Sequence, residues 1–203
     1  MRFAACCAAM KSTTPRYHAR LLATAPRWSG RFQTALAGIP RPWRYWLDDA
    51  GSLTKRLQAL NPAEFSVDVV RQYHGPALPS ECADLKLRWR QPVWVREVSL
   101  RQGQYELVRA RTVIPLTSLA RVGQPIRHLG NRSLGSYLFS QASLRRQPLK
   151  FSQACQPVTD SAHCFCWTRR SVFTINGAPL LVTEAFSSLL LSPRFHSPDD
   201  TRH

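Results

Sequence analysis

Two alternating segments on either side of an Asn-Gly pair constrain this chain more than any other feature. RRSVFTI (Arg169 to Ile175) and APLLVTEAF (Ala178 to Phe186) flank Asn176-Gly177. Asn-Gly readily adopts the left-handed backbone of a two-residue hairpin turn, so the two segments are predicted to pair as antiparallel strands. A second hairpin is predicted from QPVWVREVSL (Gln91 to Leu100) and YELVRARTVIP (Tyr105 to Pro115), joined through the polar run Arg101 to Gln104. FSVDVVRQYHG (Phe65 to Gly75) alternates as a further strand, and a short one is placed around Leu149 to Gln153. From Trp43, WRYWLDDAGSLTKRLQAL has the spacing of two short helices broken at Asp49-Ala50-Gly51, with Ser52 placed to cap the second. After Pro115 the run to Phe139 has helical spacing interrupted by loop breakers. Consecutive hairpins with helices segregated before and between them predict a single α+β domain, an antiparallel sheet with peripheral helices.

A chain of 203 residues is long enough to bury roughly 70% of its unfolded surface. Its net charge of +16 raises the question of nucleic acid. Eight of the basic residues, and no acidic one, lie in residues 1–47, so half the excess sits in one N-terminal stretch. The remainder shows no helix-turn-helix, RNA-binding signature or basic-aromatic stripe, and nucleic acid is not expected as a partner. The six cysteines include no C-x2-C spacing, so they are read as reduced thiols of a cytoplasmic protein with no metal site. No apolar run approaches the ~20 residues that span a bilayer, and stable membrane insertion is not expected.

Two charges fall where apolar residues belong. Glu184 shares a strand face with Leu180, Val182 and Phe186, and Arg96 shares one with Trp94, Val98 and Leu100. Either the two form a buried ion pair between strands, or they line a pocket in which Arg96 grips an anion and Glu184 meets a polar group.

The strings SLTKR (Ser52 to Arg56), WVREVSL (Trp94 to Leu100), ARTVIPLTSL (Ala110 to Leu119), LGNRSLGSYLF (Leu129 to Phe139) and RRSVFTINGAPLLVTEAF (Arg169 to Phe186) stand in an order and spacing that resembles the chorismate pyruvate-lyase family of bacterial ubiquinone biosynthesis. The resemblance covers residues 24–190. It leaves 1–23 as a basic, disordered extension and 191–203 as a flexible tail. It implies a six-stranded antiparallel sheet, with two helical flaps over an enclosed ligand site. It also implies cleavage of chorismate to 4-hydroxybenzoate and pyruvate by a cytoplasmic monomer that uses no cofactor.

Carried over residue by residue, the resemblance makes Arg96 the anchor of the ring carboxylate and Glu184 the partner of the ring hydroxyl. Leu134 becomes a backbone contact to the ligand, Leu53 stands in for a methionine at the pocket, and Arg111 is a catalytic candidate for the enolpyruvyl carboxylate or ether oxygen. Ala110 replaces a family glycine, and a positive φ there would force a different backbone. Ser136 replaces a charged residue. The same fold also resembles effector domains of bacterial regulators, so a non-catalytic aromatic-acid sensor is the alternative.

Overall fold

The computed structural model describes residue 28 and residues 38–49, 51–157 and 164–195. The expected N-terminal extension lies outside the described residues, as does the chain beyond Phe195. Two helices come first, α1 (Arg41–Leu47) and α2 (Leu53–Leu60). α1 begins beside a proline, and α2 begins where Ser52 Oγ accepts from the Lys55 amide, the cap expected from the sequence. Strand β1 (Phe65–Pro76) leads through α3 (Pro79–Leu85) to the hairpin β2 (Pro92–Gln102) and β3 (Tyr105–Pro115). A second helical pair follows, α4 (Leu116–Arg127) and α5 (Leu134–Phe139). Short β4 (Arg145–Arg146), β5 (Lys150–Pro157), β6 (Cys164–Ile175) and β7 (Ala178–Ser187) complete the sheet.

All pairings are antiparallel, and the strand order is β1-β2-β3-β7-β6-β4, with β5 also on β6. The described residues form seven strands where six were expected, because one edge is broken. β4 and β5 pair with successive stretches of β6, and the Gln147 amide bonds the Val172 carbonyl between them, just before Pro148, which has no amide to donate. The Asn176-Gly177 turn has positive φ at both residues (49° and 77°), as its sequence demanded. Helix α3 was not anticipated from the sequence.

The sheet buries residues on both faces. On one face, which carries the even-numbered residues of β2, β3 and β7, two apolar clusters form. Trp43, Trp46, Leu47, Leu53 and Leu57 of α1 and α2 pack on Leu100, Val108 and Phe186. Leu119, Ile126 and Leu138 of α4 and α5 pack on Trp94, Ile114, Leu180 and Val182. On the other face α3 lays Cys82 and Leu85 against Val93, Val95, Val113 and Leu181. Two 3₁₀ turns, Ser188–Leu191 and Pro193–Phe195, bury Leu190 and Phe195 in the first cluster, so the packed domain runs past the expected boundary at residue 190.

Candidate active site

Between the two clusters of the first face, the sheet and the helical pairs leave a cavity of about 50 Å³. Arg96, Val98 and Leu100 of β2, Ala110 and Thr112 of β3, and Val182 and Glu184 of β7 form its floor. Leu53 and Thr54 of α2 cover it from one side, and Leu134, Gly135 and Leu138 of α5 from the other. Arg146 of β4 and Arg169 and Phe173 of β6 close the remaining wall. The two covering helices are tied together where Ser133 Oγ donates to Thr54 Oγ1 at 2.7 Å.

Four of the sequence-predicted site residues therefore meet at one cavity: Leu53, Arg96, Leu134 and Glu184. Arg96 and Glu184 are not each other's partner. Arg96 is 2% exposed and donates through Nη2 to the carbonyls of Gly130 (2.7 Å) and Arg132 (3.3 Å), while its buried Nη1 has no hydrogen-bond partner among the described residues. Burial without a carboxylate disfavours the charged form and pushes the guanidinium below its ordinary pKa. An anion seated beside Nη1 would reverse that penalty.

Glu184 is held instead by Arg169, its direct cross-strand partner, whose Nε donates to Oε2 at 2.5 Å. Arg169 Nη1 also donates to the carbonyls of Trp46, Leu47 and Asp49, at and just past the C-terminal end of α1, where a cation is favoured. The carboxylate is thus fixed in place by a residue that also anchors the end of α1, the helix that leads into the α2 cover.

Arg111 does not join them. It faces the opposite side of the sheet, where it is 3% exposed and its donors are taken up by protein acceptors. Nε and Nη2 clasp Glu81 of α3 (2.7 and 3.1 Å), and Nη1 reaches Glu97 (2.7 Å) and the Tyr73 hydroxyl (2.8 Å). Burial alone would lower its pKa, but Glu81 first and then Tyr73 outweigh that and raise it. The expectation for Ala110 also changes: it is not among the residues of positive φ but an ordinary strand residue opposite Glu184, and its methyl group lines the cavity floor.

Arg146 and Arg169 were missed from the sequence. For Arg169 a signal existed, because the tight Asn-Gly turn fixes the register that sets it opposite Glu184. Arg146 lies on a two-residue strand with no periodicity to read.

The fold and the cavity define a single-domain α+β protein with an enclosed cavity lined by arginines and one glutamate. A model of the chorismate lyase family matches residues 31–197, and the chain belongs to that family. A probable chorismate pyruvate-lyase of Methylococcus capsulatus is 40% identical over 154 residues, covering 72% of this chain and 95% of the relative. One from Pseudomonas putida is 40% identical over 167 residues, covering 81% and 89%. Among solved structures, the effector domain of PhnF from Mycobacterium smegmatis shares the fold at a TM-score of 0.51 and 16% identity, covering 68% of this chain and 89% of that domain. Among the described residues no helix is long and apolar enough to cross a membrane.

Proposed function

We propose that this chain cleaves chorismate to 4-hydroxybenzoate and pyruvate, as a cytoplasmic monomer that supplies the aromatic head group for ubiquinone. The observation that carries the reading is the buried Arg96 guanidinium, unpartnered at Nη1 among the described residues, in the same apolar cavity as an oriented carboxylate, Glu184. Chorismate is a dianion whose ring becomes aromatic when the enolpyruvyl ether leaves together with the hydrogen on the hydroxyl-bearing carbon. The ether carbon–oxygen bond breaks, that hydrogen departs as a proton, and the released enolpyruvate takes up a proton on carbon to become pyruvate. Most of the driving force lies in the substrate, so the protein's task is to hold, desolvate and orient it.

In this reading Arg96 binds the ring carboxylate and Glu184 accepts the hydrogen bond of the ring hydroxyl. Val98, Leu100, Ala110, Val182, Leu53 and Leu134 exclude water from the face on which the ether departs. A cavity of about 50 Å³ holds only a few water molecules, so α2 and α5 separate to admit an acid the size of chorismate. An open groove outside the cover, which shares Thr54 and Ser133 with the cavity, offers the entry side.

The test is to incubate the purified chain with chorismate and follow both products. Equal yields of pyruvate and 4-hydroxybenzoate are expected. Binding of 4-hydroxybenzoate without release of pyruvate would identify a sensor module instead, and a different aromatic acid would overturn the substrate assignment.

A further inference from the structure

A dianion presents two carboxylates, and the cavity has a second arginine set apart from Arg96. Arg146 stands on β4, at the far end of the sheet from β2, with β3, β7 and β6 between them. At the usual strand spacing that separation is about 19 Å between backbones, yet both long side chains line one cavity. Arg146 is oriented by donation from Nε to Ser171 Oγ (2.9 Å) and from Nη1 to the Asp49 carbonyl (3.1 Å), and it packs 5.0 Å from the centre of the Phe173 ring. Among the described residues, three arginines and one glutamate line the cavity. Arg169 is matched to Glu184, and Arg96 and Arg146 stand on strands to either side of that pair.

We infer that Arg146 binds the enolpyruvyl carboxylate of chorismate while Arg96 holds the ring carboxylate. This rests on the lyase reading above and replaces Arg111, which faces the other side of the sheet. Chorismate's own geometry supports it. The ether stands on the ring carbon next to the one that bears the hydroxyl, so a residue close to Glu184 is close to the second carboxylate. Arg146 feels both members of the Arg169–Glu184 pair. Burial first, then repulsion from Arg169, bring its guanidinium down to about 10, partly offset by Glu184 and Asp49, and a second anion would restore it.

The two arginines then separate by ligand. Arg146 meets a group that chorismate has and 4-hydroxybenzoate lacks. In Arg146→Gln, kcat/KM for chorismate should fall roughly 30-fold or more, while the dissociation constant of 4-hydroxybenzoate stays within about threefold. Arg146→Lys keeps a cation and loses the planar fork, so it should recover part of the loss, again with 4-hydroxybenzoate unaffected. Retained product binding also certifies a folded variant. Equal loss of both ligands, or loss of neither, overturns the assignment. A third measurement needs no variant: 4-hydroxybenzoate carrying a carboxymethoxy ether beside its hydroxyl should bind the unaltered protein more tightly than 4-hydroxybenzoate. Equal or weaker binding overturns the second anion site. Failure of the lyase reading itself is distinguished by a parent protein that releases no pyruvate at all.

Discussion

The two faces of the sheet use the same residue type for opposite ends. Arg96 and Arg111 stand on neighbouring strands, both almost wholly buried, and their surroundings differ in one respect. On the α3 face, Arg111 is clasped by Glu81 and Glu97, Glu97 is clasped in turn by Arg71, and Arg170 reaches Asp84. On the cavity face, Arg96 is met among the described residues by carbonyls alone and retains a nitrogen with no partner among them. A buried arginine that the protein has already paired is structure, whereas one left short of an anion is a receptor. Burial alone does not separate the two; the partner list does.

This contrast can be broken from either side. The largest effect is expected on the paired face. Arg111→Ala strands Glu81 in the interior and leaves Glu97 to Arg71 alone, and should destabilise the fold by roughly 3–5 kcal/mol, read as a fall in thermal midpoint. If the loss is instead confined to kcat with the midpoint unchanged, Arg111 acts in the reaction and the division of faces is wrong.

Next in size, Glu184→Gln keeps shape and an acceptor for Arg169 while deleting the charge. It should lower kcat by roughly a hundredfold if Glu184 moves a proton, with 4-hydroxybenzoate affinity largely kept. An unchanged kcat would leave Glu184 only a positioning role.

A smaller effect belongs to the cover. A Cβ on Gly135 would meet Ser52 Oγ and Thr54 Oγ1 at 3.2 Å, so Gly135→Ala should loosen the seal between α2 and α5 at a cost of about 1 kcal/mol. Stopped-flow release of 4-hydroxybenzoate should quicken several-fold. Unaltered release would show that these helices are not the gate.

The smallest effect near neutrality concerns acid. Burial would raise Glu97, but bonds from Arg71 and Arg111 outweigh it and hold the carboxyl below its ordinary value of 4.5. A depressed folded pKa means that the stabilisation is present above the unfolded value and is lost as pH falls through the folded one. Unfolding as the pH falls below that ordinary value should therefore be eased in the parent protein and much less pH-dependent in a Glu97→Gln variant.

Much of this was legible in the sequence, for reasons particular residues make plain. Period-two alternation and Asn176-Gly177 gave the closing hairpin its position and register, and with it the inward face of Glu184. The same counting, carried six residues back from Ile175, brings Arg169 opposite Glu184 and so answers why a carboxylate points inward. In the other hairpin, counting fails. From the Gln102–Tyr105 pair, an unbroken ladder sets Arg111 opposite Arg96. The register shift at Leu100/Arg101 moves it opposite Glu97 and onto the other face. Nothing in YELVRAR announces that extra residue. Glu81, the carboxylate that completes the pairing of Arg111, came from α3, a helix not anticipated from the sequence.

The central claim is that Arg96 is an anion receptor rather than a structural charge. Its most direct test is Arg96→Met, followed by calorimetric titration with 4-hydroxybenzoate beside thermal unfolding. The expected result is a loss of roughly 2–5 kcal/mol in binding, with a thermal midpoint that holds or rises because an unpaired buried charge has gone. A midpoint that drops steeply while 4-hydroxybenzoate still binds at parental affinity would contradict it.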